Sequence, residues 1–336
     1  MSTLPPDLLP ALTADASLVI AGHVTPDADC LGSIFALAHG VTQATGRAVA
    51  CALPAGCVAA RLQFLVDWAR PRLATTQDCR QARTMAVCDT AKPRRTNLPD
   101  GLNQTLEDGR KIVNIDHHAS NTQFGAIRWI DERASSTAEL IHGLFRAADW
   151  KITPTVASLL YAGILGDTVG FSLSNTSQRA LQSAADLVEC GADVGRVGSH
   201  LFRSQSLAEF TLRRIIYDNT RTSSTGRIAF STASHQEITR SGCDAADVDD
   251  QVEIPRSLTG KRLAILFTEG QPGRVRMNFR SEGDISVLGL AAELGGGGHH
   301  AAAGAIIDGT VEEVAAKVIA AAERYLDQLA AEGKAD

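Results

Sequence analysis

The segment Ile112-Val113-Asn114-Ile115-Asp116-His117-His118 closes a short apolar run with one acid and two adjacent imidazoles. A β-branched run of this length, residues 111–115, predicts a buried parallel strand that delivers the three polar groups at its C-terminal end. Open α/β sheets bind their ligands at that end. The pattern then recurs along the chain. Residues 17–22 predict a strand running into His23-Val24-Thr25-Pro26-Asp27-Ala28-Asp29, where Pro26 keeps the residue before it extended and an apolar helix, residues 31–38, follows. Thr84–Cys88 predicts another strand, stopping at Asp89, and an apolar helix over 156–164 runs on towards Asp167.

His23, Asp27, Asp29, Asp89, Asp116, His117, His118 and Asp167 form a set of hard and borderline ligands without a cysteine among them. Carboxylates mixed with imidazoles suit Mn²⁺, Mg²⁺ or Fe²⁺ better than a structural zinc site. Converging acids repel one another unless cations neutralise them, and two divalent ions are the natural solution. A pair of ions about 3.5–4 Å apart is the arrangement used for in-line hydrolysis at phosphorus. The set therefore points to cleavage of a phosphoester or phosphoanhydride. Plainer readings compete at single segments. Asp27 or Asp29 can cap the following helix while His23 packs. Lys92, Arg94 and Arg95 read as solvated cations rather than phosphate contacts. Ser135-Ser136-Thr137-Ala138-Glu139 reads as a capped start for a helix over 140–147, although such a start also receives anions.

These residues need a framework to position them. Strands alternate with helices from residue 17 to about 194, including a strand at 48–53, a helix at 58–68 and an amphipathic helix at Gln178–Glu189. This predicts a mainly parallel sheet with helices on both faces. Residues 196–222 read as a helical connector between a first domain, 1–195, and a smaller α/β domain, 223–336. In the second domain, 227–232 and 262–267 predict strands, and Gly270-Gln271-Pro272-Gly273 turns into a hairpin strand over 274–279. A helix over 285–294 then ends in Gly295-Gly296-Gly297-Gly298-His299-His300, and an Ala-rich helix, Val311–Ala331, closes the chain. On its own the glycine run reads as a hinge or a helix C-cap.

Composition narrows the function. At 336 residues with 44% apolar content the chain supports two cores, and a net charge of −6 excludes a general basic surface for long duplex nucleic acid. The seven cysteines are scattered without a Cys-x-x-Cys pair, which suits reduced thiols in a cytoplasmic protein. A signal peptide is not expected, nor a membrane-crossing segment.

The ordered set His23-x-x-x-Asp27-x-Asp29, Asp89, Asp116-His117-His118 and Asp167, followed by Gly296-Gly297-Gly298-His299-x-x-Ala302-Ala303-Gly304, resembles the DHH/DHHA1 phosphoesterases over nearly the whole chain. Within that family it is most similar to the bifunctional oligoribonucleases and 3′-phosphoadenosine-5′-phosphate phosphatases, the nanoRNase type. The resemblance implies an active site in a cleft between the two domains. His23, Asp27 and Asp89 would hold one manganese ion and Asp29, Asp89, His117 and Asp167 the other, with Asp89 as the bridge. Asp116 would orient His117 or its neighbours, and His118 would stabilise the scissile phosphate or protonate the leaving oxygen. Arg280, Ser281 and the loop Gly296, Gly297, Gly298, His299 would grip the terminal nucleotide, whereas His300 is incidental. One departure stands out: the family commonly has two glycines after the Asp-Thr of its fourth motif, and here Asp167-Thr168 is followed by Val169-Gly170, so Val169 is expected to narrow the pocket. The implied substrates are short RNA, hydrolysed to mononucleotides, and 3′-phosphoadenosine-5′-phosphate. Competing readings are a cyclic-dinucleotide phosphodiesterase, whose membrane-bound forms carry extra N-terminal segments, a single-stranded-DNA exonuclease, a family II pyrophosphatase, and a non-catalytic nucleotide-binding module. The oligomeric state stays open, a homodimer included.

Overall fold

The computed structural model describes residues 3–99, 109–243, 251–298 and 300–332, and the chain divides into two compact units, Met1–Ser204 and Gln205–Asp336. The first is built on six parallel strands: β1 (Val19–Ala21), β2 (Ala50–Ala52), β3 (Arg72–Leu73), β4 (Thr84–Cys88), β5 (Lys111–Asp116) and β6 (Ile127–Ile130). Their spatial order is β3-β2-β1-β4-β5-β6, the doubly wound arrangement, in which the chain reverses its direction of growth between β1 and β4. The central strands are short, apolar and buried, as strands covered on both faces must be. The registers Ala21↔Val87 and Cys88↔Ile115 bring the ends of β1, β4 and β5 to one level.

The helix after β1 runs Ala28–Thr45, three residues longer at its start than the apolar pattern suggests, because Asp27 caps it by accepting from the Cys30 amide at 3.0 Å. Residues 28–38 of this helix are buried without interruption, which fixes it against rotation and fixes Asp29 with it. It packs on the helix Pro154–Asp167 at a distance only glycines permit: a Cβ on Gly32 would lie 2.4 Å from the Leu159 carbonyl oxygen, and one on Gly163 would lie 2.8 Å from an Asp29 carboxylate oxygen. The expected helix over 58–68 is a 3₁₀ turn, Ala60–Leu62, followed by a helix Gln63–Ala69. Strand β6 was not anticipated, since its half-exposed Ile-Arg-Trp-Ile lacks a clean period.

The second unit is a mixed sheet of β7 (Arg221–Thr222), β8 (Ile228–Ala233), β9 (Leu263–Gln271), β10 (Arg274–Ser281), β11 (Gly297–Gly298) and β12 (Ala302–Asp308), ordered β11-β12-β10-β9-β8-β7. Among its described residues only β8 and β9 pair in parallel. One face buries Ile265, Phe267, Val275, Met277 and Phe279 against the helices Leu288–Glu293 and Val311–Ala331. The other face, at Ala233 and Leu266, is covered by Leu212, Ile216, Ile238, Val252 and Ile254. The glycine run differs from the expected loop in that Gly297 and Gly298 pair with β12. Of the two helices in the expected connector, Val194–Phe202 belongs to the first unit and Leu207–Asp218 to the second. No helix among the described residues is long and apolar enough to cross a membrane.

Candidate active site

At the point where the strand order reverses, three strand ends converge. His23 follows β1, and its Nε2 lies 3.4 Å from Asp89 Oδ2 and 3.8 Å from Asp27 Oδ1. Asp89 follows β4 and is buried with φ of +54°, a left-handed conformation that costs about 1–3 kcal/mol in a non-glycine residue and that the surroundings must over-determine. The restraints are visible. The Asp89 amide donates to Ile115 O at 2.9 Å, and the Thr137 hydroxyl donates to its Oδ1 at 3.1 Å. Asp116 ends β5, and its Oδ1 accepts from the His117 amide at 2.9 Å and lies 2.7 Å from His118 Nδ1. With Nδ1 committed, Nε2 is the His118 nitrogen left to act on a substrate.

Asp29 is held differently. Its two carboxylate oxygens accept from the amides of Thr137 and Ala138, each at 2.7 Å, at the start of the helix Thr137–Ala147. Unpaired N–H groups and the helix dipole favour a negative charge there. The segment read from sequence as a capped helix start thus both caps and receives an anion, and that anion is a side chain of this chain. The start is itself braced: Glu139 accepts from the amide and hydroxyl of Ser135, pairs with Arg179, and Arg179 reaches Asp131 at 3.3 Å. Asn121 Nδ2 lies 2.6 Å from Asp116 Oδ2 and 2.8 Å from Asn114 Oδ1, which locks the acid beneath the two histidines. Asn175 ties the carbonyl of Asp167 to that of Ser135.

His117 carries the strongest sign of what the site holds. A single atom, Nε2, lies 3.1 Å from Asp167, 3.6 Å from Asp89 and 3.9 Å from Asp29, while Nδ1 lies 3.4 Å from the Ala134 carbonyl oxygen. One nitrogen cannot hydrogen-bond three carboxylates, but cations placed among them would satisfy all four groups. The charges record the same crowding. Burial, reinforced by Asp89 and Asp167, pushes Asp29 well up, and burial with Asp27 and Asp89 nearby raises Asp167 to about 6. Burial also works to raise Asp89, but hydrogen bonding to His23 and the charges of the three histidines hold it below the usual carboxylate range. Burial would lower His23 and His117; the carboxylates around them, with Cys30 beside His23, outweigh it and raise both.

Donor atoms close enough to share an ion form three groups among the described residues: His23, Cys30 and Asp89; Asp89, His117 and His118; and Asp29, His117 and Asp167. Asp89 links the first two and His117 the last two. The donor set suits divalent ions. Cys30 is the member that residue spacing did not suggest. Its sulfur accepts from the His23 amide at 3.3 Å, and burial pushes the thiol up to about 11. Asp27 stands at the margin, half-exposed, with the oxygen nearest His23 engaged in capping.

The second unit places the expected nucleotide contacts unevenly. Arg280 is partly exposed on β10, with Nε 3.7 Å from Glu253 and Nη1 bonded to its neighbour's carbonyl. Ser281, expected at the substrate, faces the core, and its hydroxyl donates to Ile285 O at 2.6 Å. Gly296 and Gly298 press so closely on β12 that a Cβ would lie 2.1 Å from Gly304 O and 2.5 Å from Ala302 O. Gly297 is exposed, with open space where a side chain would stand. His299 lies outside the described residues. Val169, expected to narrow the pocket, is about half exposed with φ of +46°.

Comparison with known proteins agrees with this architecture. Residues 17–164 match the DHH family, N-terminal domain, and residues 228–328 the DHHA1 domain. A bifunctional oligoribonuclease and PAP phosphatase of Bacillus subtilis is 28% identical over 86% of this chain and 89% of its own length. One from Mycoplasma genitalium is 30% identical, covering 86% and 88%. The fold is that of a crystal structure of an exopolyphosphatase-related protein from Bacteroides fragilis, with a TM-score of 0.82 and 22% identity over 93% of this chain and 92% of that one.

Proposed function

This chain belongs to the DHH family of phosphoesterases, and we propose that it is a two-ion hydrolase that releases mononucleotides from very short RNA and removes a phosphate from 3′-phosphoadenosine-5′-phosphate. The observation that carries the proposal is the position of His117 Nε2 among Asp29, Asp89 and Asp167. That substrate class is supported by the relatives' names and by an acidic chain suited to few phosphates at a time. We assign His23, Asp27 and Asp89 to one ion and Asp29, Asp89, His117 and Asp167 to the other, manganese being the preferred metal and the cytoplasm the working compartment.

Divalent ions at such a site supply charge neutralisation and a water acidic enough to attack phosphorus near neutral pH. The rest is the work of this chain. Asp116 fixes the ring of His118 by accepting from Nδ1–H, and although burial works to lower His118, Asp116 and Asp89 outweigh it and favour the imidazolium, whose Nε2–H can protonate the oxygen that leaves the scissile phosphate. Asn121 keeps Asp116 from turning away. The Thr137 helix start holds Asp29 and Asp89 in place before substrate arrives, so that little reorganisation remains for the reaction. In the second unit Arg280 offers a planar fork suited to a phosphate, and Gly297 beside β12 is exposed and without a side chain.

The test is a set of rates at one Mn²⁺ concentration on a ribodinucleotide, a 24-residue RNA, a cyclic dinucleotide and 3′-phosphoadenosine-5′-phosphate. Fast turnover of the first and last, stopped by chelator, is the expected result. Turnover of the cyclic dinucleotide alone would reassign the substrate. Binding of nucleotide without any turnover would make the chain a non-catalytic module.

A further inference from the structure

Strand β10 alternates strictly: Val275, Met277 and Phe279 face the core, so Arg274, Arg276, Asn278 and Arg280 face the other way. On that face Asn278 stands beside Leu266 of β9 and Gly304 of β12, and Gly304 in turn pairs with Gly297. The carboxamide lies against bare backbone, with Oδ1 3.6 Å from where a Gly304 side chain would begin. Asn278 is only 7% exposed, yet its Nδ2 has no hydrogen-bond partner. A buried amide donor without an acceptor is destabilising and seldom left unexplained in a native fold. Two arginines flank it at alternate positions on the same face, and the floor beside it at Gly297 is open.

We infer that Asn278 is a substrate-binding residue, whose Nδ2 donates to a phosphate oxygen of the nucleotide that is not being cleaved. Asparagine side chains are regular donors to nucleotide phosphates. An anion lying over Gly304 and Gly297 would meet this amide from below, with Arg276 and Arg280 on either side. The unpaired N–H is then a donor whose acceptor is supplied by the ligand, and Gly297 beside it leaves room for one. The inference rests on the nucleotide hydrolase reading above and adds a residue to it, one facing opposite to Ser281 on the same strand.

Two variants of the full chain test it by isothermal titration with AMP in the presence of EDTA, where turnover plays no part. Asn278→Leu keeps the shape and removes the donor; Asn278→Asp places a negative charge against the phosphate. Loss of one hydrogen bond to a charged group predicts AMP binding about tenfold weaker for the leucine variant and weaker still for the aspartate variant. The melting temperature of Asn278→Leu should equal or exceed that of the unaltered chain, because an unpaired buried amide has been removed. Equal AMP affinity in all three proteins overturns the assignment, as does absence of AMP binding by the unaltered chain. A fall in the leucine variant's melting temperature with unchanged affinity would make Asn278 structural and overturns it too. Dinucleotide turnover, measured separately with Mn²⁺, reports on the hydrolase reading: a chain that binds AMP through Asn278 but never cleaves would refute that reading and leave this one standing.

Discussion

The strand ends of the first unit and the Asn278 face of β10 in the second handle polar groups in different ways. Around β1, β4 and β5 the acids are held from several directions: Asp29 by two amides, Asp89 by a hydroxyl and its own strained backbone, Asp116 by an amide, an imidazole and Asn121. On β10 the Nδ2 of Asn278 has no hydrogen-bond partner, and Arg280 lies 3.7 Å from Glu253 with Nη1 donating to the Phe279 carbonyl. The difference teaches a division of labour. The acids of the first unit are oriented by the protein before any ion arrives, whereas the proposed recognition site on β10 leaves part of its bonding for a ligand to complete.

The comparison breaks if changes in the two regions have the same signature. The largest effect is expected from Asp89→Asn, which should abolish hydrolysis of every phosphoester tested, with circular dichroism unchanged; chelator should do the same to the unaltered chain, reversed by Mn²⁺. Next, His118→Gln should lower kcat by about 10²–10⁴-fold, the usual share of a general acid, with little change in KM. Arg280→Ala should raise KM for a dinucleotide about tenfold or more while sparing bis(p-nitrophenyl) phosphate, which has no second nucleotide to hold. A fall in turnover of that small ester would erase the distinction between the two regions. Smallest is Val169→Gly: releasing a β-branched residue from φ of +46° should stabilise the chain by about 1 kcal/mol, seen as a higher melting temperature.

Much of this was readable in the residues because the doubly wound fold turns a one-dimensional signal into a three-dimensional one. Apolar runs that stop at His23, Asp89 and Asp116 become strand ends, and strand ends at the reversal point become neighbours. What escaped depends on contacts between distant positions. Thr137 meets Asp89 across 48 residues and Arg179 meets Glu139 across 40, and neither has a local pattern that announces it. Asn114 offered a clue, an amide inside an apolar strand, that only the pairing with Asn121 explains. Cys30 carried no signal in the residue spacing, since it lies just before the apolar helix pattern that begins at residue 31. Asp27 was read as either ligand or cap, and the structure shows it capping beside the ligand cluster. Strand β12 was hidden because Ala-Ala-Gly-Ala carries little strand propensity, and its neighbours impose the conformation.

The central claim, that Asp89 stands between two cations, is tested most directly by crystals grown with Mn²⁺ and measured at the manganese edge. The account predicts two anomalous peaks about 3.5–4 Å apart, one beside His23 and one among Asp29, His117 and Asp167, with the Asp89 carboxylate touching both. A single peak away from Asp89, or none at saturating Mn²⁺, would contradict it.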